Sequence, residues 1–340
     1  MRKLLLSALT LIGFEIMCPV SANAQDPNFS QFFASPLTLN PALTGKFDGL
    51  YRVAGNYRNQ WPTISNAFIT GTASFDAAVL RNRIPENDQF GIGVIAMTDK
   101  SGNGILQANY AALSVAYHKA LDEDGYHQIG LGFQGAYTTK TLNVNDASFE
   151  DMLQANGFTG ITSEVFGQEL NVNYFDMNAG FLYTGTSDGS NNFYLGASAY
   201  HLNRQKESFQ NAQYYLQPRL TLQGGGMVPL ANSNAIHFSA LHSRQANALN
   251  TVFGGAYMLN LNGDPIDPSN LFLGSWYRVG DAIIPYVGLE FGNLHFGATY
   301  DVNISSLKPG SNMRGGIEMS LIYIKRPTDP NARRLNCPRF

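Results

Sequence analysis

The sequence has 340 residues, 34 of which are glycine, and a formal net charge of −3 at pH 7. Only 14% of the residues are charged, whereas an ordinary globular domain has about 25%. This balance gives no overall attraction to nucleic acid, so we expect no nucleic-acid partner. After residue 24 there is no run of about 18 consecutive apolar residues, which excludes transmembrane helices.

The first 24 residues have the pattern of a secretory signal peptide. Arg2 and Lys3 give a basic start, an apolar run follows, and the segment ends in the small-residue motif Ala22-Asn23-Ala24. We therefore predict cleavage after Ala24 and export. Cys18 allows the alternative of a lipoprotein signal, although the acidic residue and the proline near it fit that signal poorly.

Residues 25–47 are predicted to form an irregular segment that leads into the first strand. Pro36 and Pro41 disfavour a helix and bias the residues before them towards extended geometry. The phenylalanine pair that begins at Phe32 needs burial, either under the mouth of the fold or inside it, and Gly45 would permit a turn upwards. The alternative is a disordered leader.

Residues 48–324 are predicted to form one all-β domain of about fourteen antiparallel strands. In "NLHFGATYDVN", which starts at Asn293, apolar and polar residues alternate, and this period of two is typical of a strand. Turn sequences such as "PEND", "SDGS" and "KPGS" separate similar stretches. The strand candidates start near residues 50, 66, 89, 105, 127, 174, 191, 214, 234, 248, 271, 282, 293 and 314.

The composition of the two strand faces favours an outer-membrane β-barrel. One face is rich in Tyr, Phe, Leu and Ile, and the other carries Arg, Gln, Asn, His, Asp and Glu beside many glycines. Exported strands of about ten residues with this alternation are typical of barrels that turn their apolar face to lipid. A closed barrel also satisfies every backbone polar group in lipid. The alternative is a large periplasmic β-sandwich with the two faces reversed.

An even number of strands determines the expected topology. Both ends of the barrel sequence would lie on the periplasmic side, and the longest connection, roughly residues 140–172, would follow the fifth strand and face the outside. Several expected periplasmic turns, such as "NLNGDPIDPSN", are longer than this architecture prefers.

The search for chemistry predicts neither an enzyme nor a cofactor or metal site. "GLGFQG" contains Gly130, Gly132 and Gly135 in the spacing of a dinucleotide-binding motif, but these glycines lie in an alternating strand and not in a strand-to-helix turn. The six histidines have no metal-ligand spacing, and no G-x-S-x-G motif is present. A membrane hydrolase whose residues are assembled only in space stays as an alternative.

Several sequence blocks spread over the chain resemble the PorP/SprF family, outer-membrane proteins of type IX secretion and gliding in Bacteroidota. These blocks are "QDPNFSQFFASPLTLNPALTG", "YRNQWP", "LGSWYR", "AIIPYVGLEF", "YDVNIS" and the final "CPRF". The residues that carry the resemblance are Gln31, Phe32, Asn40, Pro41, Gly45, Tyr57, Arg58, Gln60, Trp61, Tyr277, Arg278, Tyr300 and Asp301.

The resemblance implies an outer-membrane component of type IX secretion that binds or anchors a secreted surface protein, such as a gliding adhesin. It also implies coupling, through the chain termini, to periplasmic components that belong to the secretion machinery or reach the peptidoglycan. The alternative function is a passive or selective channel, supported by the polar inner face. An open channel would conduct ions in planar bilayers, whereas a lumen blocked by the lead-in segment would not.

Residues 325–340 form a basic tail that is expected to lie in the periplasm. The tail has an excess of four positive charges. They would either meet anionic lipid headgroups or dock a periplasmic partner, and the resemblance favours docking. The lone thiol of Cys337 would be either buried or paired between molecules. The residues proposed for docking are Arg333, Arg334, Cys337, Pro338, Arg339 and Phe340.

Overall fold

The computed structural model describes residues 26–64, 68–81, 83–155, 157–163, 170–207, 209, 214–263 and 268–326. The predicted signal peptide and all the residues proposed for docking in the tail lie outside these ranges. Within them, no helix is both long enough and apolar enough to cross a membrane.

The described chain is built around a closed, all-antiparallel barrel of fourteen strands, which confirms the predicted fold. The barrel closes because the first strand pairs with the last, from Tyr51 opposite Lys325 to Gln60 opposite Gly316. Such a sheet has no exposed edge. The strands in chain order are β1 (Tyr51–Gln60), β2 (Phe68–Val79), β3 (Gln89–Ser101), β4 (Leu106–Ala120), β5 (Gln128–Leu142), the short hairpin β6 (Leu153–Gln154) and β7 (Gly157–Phe158) outside the barrel, β8 (Leu170–Gly185), β9 (Asn192–Tyr200), β10 (Arg219–Pro229), β11 (Ala235–Gln245), β12 (Ala248–Asn260), β13 (Ser269–Arg278), β14 (Ala282–Phe291), β15 (Leu294–Asn303) and β16 (Arg314–Lys325).

Side chains alternate between the two faces of the barrel as the sequence pattern predicts. In β5, Leu131 and Phe133 are exposed on the outside, whereas Gln128 and Gln134 are buried inside. Because the exposed outer face is apolar and the buried inner face is polar, the alternation is that of a membrane barrel and not of a soluble sandwich.

The barrel has two distinct ends. We call the end where β1 begins and β16 ends the terminal end, and the opposite end the loop end. The longest connections, residues 143–169 and 201–218, both lie at the loop end. The first of them follows the fifth strand, as predicted, and it is shorter than the expected 140–172 because β5 and β8 extend beyond the predicted strand limits.

Residues 26–49 lie inside the barrel, and we call this segment the plug. It begins near the loop end, where Asp26 contacts Gln245 of β11, and runs to the terminal end, where Leu50 donates a backbone hydrogen bond to Lys325. The plug contains three short helical turns, Phe32–Ala34, Pro36–Leu39 and Pro41–Leu43.

From the sequence we expected the prolines of this segment to disfavour helix. Instead Pro36 and Pro41 each occupy the first position of a short helical turn. This position tolerates proline because its backbone N–H would have no partner within the helix. Most of the plug is buried, so a disordered leader does not describe these residues.

Candidate functional site: the plugged lumen

The upper part of the plug, which is the part nearer the loop end, is held by buried acidic groups on the barrel wall. Ser30 and Gln31 donate their backbone N–H groups to the two carboxylate oxygens of Glu318, at 2.7 and 3.0 Å. The Ser30 hydroxyl donates to Asp301 at 2.7 Å. Bonds to carboxylates are among the stronger hydrogen bonds in proteins, so two strands fix this turn of the plug.

Two arginines neutralise those carboxylates. Arg58 lies 2.8 Å from Asp301 and 3.0 Å from Glu318, and Arg278 lies 2.8 Å from Asp301. Both guanidinium groups also donate to the hydroxyl of Ser30. We call Arg58, Arg278, Asp301 and Glu318 the ion cluster. Its members come from β1, β13, β15 and β16, at inward positions where strand alternation turns polar side chains to the lumen.

An aromatic contact lies just below the ion cluster. The ring of Phe33 packs 4.9 Å from Trp276 and 5.7 Å from Tyr286, measured between ring centroids. The indole N–H of Trp276 donates to Ser239 at 3.0 Å, so burial of the tryptophan leaves no polar atom of that ring unpaired. Phe32 is therefore buried and Phe33 partly buried in the lumen, one of the two places expected from the sequence.

The middle of the plug is held mainly by neutral hydrogen bonds and close approach, and one charged group, Arg52, donates to the carbonyl of Leu43 at 3.2 Å. Asn40 donates from its amide to the backbone carbonyls of Phe181 and Ala197, at 3.0 and 3.2 Å. A β-carbon on Gly132 would lie 2.2 Å from the backbone nitrogen of Ala42. The wall glycine thus forms a notch that admits the plug backbone, which explains its place in "GLGFQG".

The lower part of the plug turns towards β1 at Gly45. This glycine has φ +71, a conformation that favours glycine, and its N–H donates to Asp76 at 2.7 Å. Arg52 of β1 pairs with the same carboxylate at 2.8 Å. The expected turn at Gly45 is therefore present, and it is tied to β2.

The start of the plug is held at the loop end by a second charged group. Asp26 lies 2.7 Å from Nε2 of His201 and 3.4 Å from Arg219, and Nδ1 of His201 lies 2.6 Å from Asp176. Burial opposes charging, but the Asp26 and Asp176 carboxylates raise the pKa of His201 to about 9. Against the same opposing burial, His201 and Arg219 hold the pKa of Asp26 well below its usual range.

Above the plug the lumen opens into a cavity of about 600 Å³ at the loop end, which we call the cup. Its floor is the start of the plug, from Asp26 to Asn28, and its walls come from β1 to β5, β8 to β10, β12 and β13 and from connections at the loop end. A concave site of this volume, which combines apolar and aromatic walls with many polar and charged groups, could hold a ligand.

The structure brings most of the predicted family-signature residues together in the lumen. Gln31, Phe32, Asn40, Pro41 and Gly45 belong to the plug, Arg58, Arg278 and Asp301 to the ion cluster, and Gln60 and Trp61 to the wall of the cup. By contrast, Tyr57, Tyr277 and Tyr300 lie on the outer face, where aromatic side chains meet the membrane interface.

Several residues of this site were not singled out from the sequence. Glu318 and Asp76 are single acids on the polar face of their strands, and His201 lies in a connection. The signal that could have found the two acids is the rarity of charge in a chain whose strands cross lipid. Among the described residues, no group of three His, Cys, Asp or Glu side chains is arranged to hold a metal ion.

A family model described as "Type IX secretion system membrane protein PorP/SprF" matches residues 21–323. Among curated proteins, none matches the chain. Among solved structures, the chain is similar to the Ralstonia pickettii toluene transporter TbuX, with 11% identity over 86% of this chain and 93% of that one and a TM-score of 0.51.

Two further barrels are similar to the chain at lower TM-scores. A mutant of the monoaromatic hydrocarbon channel TodX has 10% identity over 86% of this chain and 94% of its own, with a TM-score of 0.47. A Pseudomonas aeruginosa FadL homologue has 9% identity over 84% and 92%, with a TM-score of 0.41. The fold is that of an outer-membrane barrel, and the match over nearly the whole chain shows that it belongs to the PorP/SprF family of type IX secretion membrane proteins.

Proposed function

We propose that this chain is a non-enzymatic anchoring component of type IX secretion. In this proposal the loop end faces the outside and binds a surface-exported protein, such as a gliding adhesin. The terminal end faces the periplasm and couples that protein to the secretion machinery or to peptidoglycan-linked components.

The observation that carries the proposal is the plug. Residues 26–49 run along the lumen and are fixed to the wall by the ion cluster, by the Asn40 contacts and by the Asp76 contact. A lumen occupied in this way leaves no passage for a folded protein. A closed barrel then has its two ends for partners, which favours binding over transport.

The long connection 143–169 supports binding at the loop end. Its hairpin pairs Leu153 with Phe158, and the exposed fractions of Leu153, Phe158 and nearby Ile161 are 71%, 61% and 72%. Large apolar side chains grouped on a loop that projects from a barrel are typical of a protein contact surface. We propose that this hairpin contacts the exported partner.

At the terminal end, the coupling role falls to the basic tail. Both ends of the barrel sequence lie at the terminal end, whereas the plug begins inside the lumen near the loop end. Arg326, which precedes the undescribed part of the tail, pairs with Glu290 at 2.7 Å. This ion pair holds the root of the tail beside β14.

The test is an affinity pull-down of the tagged barrel from native membranes in mild detergent, read by mass spectrometry. One variant ends after Arg326, which keeps the Arg326–Glu290 pair, and another replaces residues 153–158 by a Gly-Ser linker. The proposal predicts that the intact barrel recovers a secreted surface protein and a periplasmic protein. Loss of the tail should remove the periplasmic protein alone, and loss of the hairpin should remove the surface protein alone. Recovery of the barrel by itself in all three forms would refute the proposal.

The alternative function is a channel for small molecules. It is favoured by the cup and by the similarity of the fold to TbuX, whose name describes a toluene transporter. For this chain, passage would require the plug to move, since the plug occupies the lumen below the cup. Liposome swelling with sugars of increasing size separates the two functions, because an anchor leaves liposomes closed to all of them.

A further inference from the structure

One wall of the cup differs from the rest of its lining in charge. Among the described residues, four carboxylates line the cup, and three of them have cationic partners. Asp26 pairs with His201, Glu207 lies 2.7 Å from Lys140, and Asp281 lies 3.1 Å from Arg278. The fourth is Asp99 of β3, and no cationic nitrogen of the described residues lies within 4 Å of its carboxylate. Its hydrogen-bond partner is the hydroxyl of Thr70, at 2.6 Å.

The surroundings of Asp99 are mostly apolar and aromatic, and Lys140 of β5, which is paired with Glu207, acts on its charge from beyond direct contact. Asp99 lies directly across from Thr70 on β2 and from Ala108 on β4. The cup lining next to these positions is Trp61, Phe68, Met97, Leu106 and Tyr110. The rings of Trp61 and Phe68 contact each other edge to face, with centroids 5.6 Å apart.

The position of Trp61 is set by the backbone. It follows β1 with φ +55, and its N–H donates to the carbonyl of Gly315 at 2.8 Å. A bulky residue in this conformation carries a conformational cost that the surrounding structure must offset. The hydrogen bond to β16 holds the residue here, with its indole on the cup wall.

These features together define a ligand chemistry. A carboxylate with no cation in direct contact attracts a positive charge, and aromatic faces add cation–π attraction for ammonium and guanidinium groups. Lysine and arginine side chains have this form, since an apolar stem carries their charged head. We propose that the cup binds an organic cation, an ammonium or guanidinium group on an apolar stem, with its charge on Asp99 and its stem against Trp61, Phe68 and Met97.

The cation has two sources, a basic side chain of a polypeptide or a free organic cation. The site does not depend on the anchoring role, because its residues lie on the inner wall and not on the projecting hairpin. Its failure and the failure of the anchoring proposal are therefore distinguishable: one is measured with small probes on purified barrel, the other with native membranes.

The experiment uses the fluorescence of Trp61. The chain has two tryptophans, and Trp276 is buried against the plug, so it adds a constant background. Full-length barrel in nanodiscs is titrated with acetyl-Leu-Arg-Leu-amide, with the same peptide carrying neutral citrulline, and with agmatine as a free cation. We expect saturable changes with the arginine peptide or agmatine that weaken as NaCl rises, and none with the citrulline peptide.

Substitutions test the assignment to Asp99. Asp99→Asn keeps the shape and should weaken binding of the cation about tenfold, as expected for loss of a charge-assisted contact. Asp99→Glu should retain binding. Asp281→Asn, an acid of the same cup that is paired with Arg278, is the matched control and should change binding by less than about twofold.

Each outcome of these titrations either supports or overturns the proposal. Binding of the peptide alone assigns the site to a polypeptide side chain, and binding of agmatine assigns it to a free organic cation. Equal responses to the arginine and citrulline peptides, unchanged binding in a folded Asp99→Asn barrel, or no response to any probe at millimolar concentration would overturn the proposal. The heat-induced gel shift of the variants checks that they fold.

Discussion

The upper and middle parts of the plug are held in the same lumen by different kinds of contact. Ser30 and Gln31 are gripped by buried charges, with Glu318 and Asp301 neutralised by two arginines. The stretch from Asn40 to Thr44 is instead fitted into notches where the wall has glycine, such as Gly132 and Gly91. The charged contacts should therefore fail when a charge is removed, and the fitted contacts should fail when a carbon is added.

The largest effect is expected from Arg58→Met. The substitution leaves Glu318 buried without a cation and Asp301 with Arg278 alone. Removing one partner of a buried ion pair costs about 3–5 kcal/mol, so the plug should leave its site for part of the time. Intermittent ion current through single barrels in planar bilayers measures this.

Arg204→Met is the control for that substitution, because Arg204 is exposed at the loop end and contacts Gln217. The Arg204→Met barrel should give no ion current, like the unaltered barrel. A silent Arg58→Met barrel with unchanged thermal stability would show that the ion cluster does not hold the plug.

The next largest effect is expected from Gly132→Ala. The new β-carbon would lie 2.2 Å from the backbone nitrogen of Ala42 and 2.3 Å from the carbonyl carbon of Pro41. Because both are backbone atoms, the plug must shift, at a cost of about 3 kcal/mol, the upper end of the usual range for overpacking. Hydrogen exchange at residues 36–46 should become faster.

Gly55→Ala is the matched control for the notch, since its nearest atom lies at 3.6 Å, an ordinary contact. Exchange in the plug should be the same as in the unaltered barrel. Equal exchange in the Gly132→Ala and Gly55→Ala barrels would mean that the plug does not depend on the notch.

A smaller effect is expected from Asn40→Ala. The variant loses two bonds donated to wall carbonyls and one accepted from Ala42. Loss of these buried bonds should cost about 2 kcal/mol, seen as a lower melting temperature in calorimetry. Thr38→Ala, which removes a local bond to Ser35 in the plug, should change melting less. If the two substitutions lower the melting temperature equally, the bonds of Asn40 are not the main contacts that hold the plug.

The smallest effect is expected from pH at the start of the plug. His201 has a pKa raised from 6.5 to about 9. Its contribution to the binding of the plug's start is therefore complete below pH 6.5 and is lost as the pH rises through 9. Asp26 has a lowered pKa, so its contribution is present above its ordinary 3.8 and is lost only in stronger acid. The start of the plug should therefore be bound most tightly between the ordinary pKa of Asp26, 3.8, and that of His201, 6.5.

Raising the pH from 7 to 9 should weaken the binding of the plug's start to the wall by on the order of 1 kcal/mol, because this pH range covers only part of the shift in the pKa of His201. The measurement is the rate at which a protease cleaves near residue 26 as a function of pH. His201→Gln should remove the pH dependence. A dependence that persists in this variant would assign the effect to other groups.

The barrel was predictable because its cause is local. Alternation of apolar and polar residues shows in each strand, and the predicted starts near 89, 127 and 314 agree with β3, β5 and β16. The start near 214 was wrong, since β10 begins at Arg219 and Tyr215 instead forms an isolated bridge with Lys206. A pair of tyrosines there resembles a strand by propensity alone.

The site was predictable only in part because it is assembled across distant strands. The resemblance identified Arg58, Arg278 and Asp301, but their meeting with Ser30 depends on barrel closure. A glycine such as Gly132 has no side chain to reveal what packs against it. Its notch becomes visible only when the plug lies in the lumen.

The most direct test of the central claim compares the intact barrel with a variant that lacks residues 26–44, by conductance in planar bilayers. If the plug closes the lumen, the intact barrel gives no steady current and the shortened barrel gives open-channel steps. A steady current through the intact barrel that is equal to that of the shortened one would contradict the account and favour the channel.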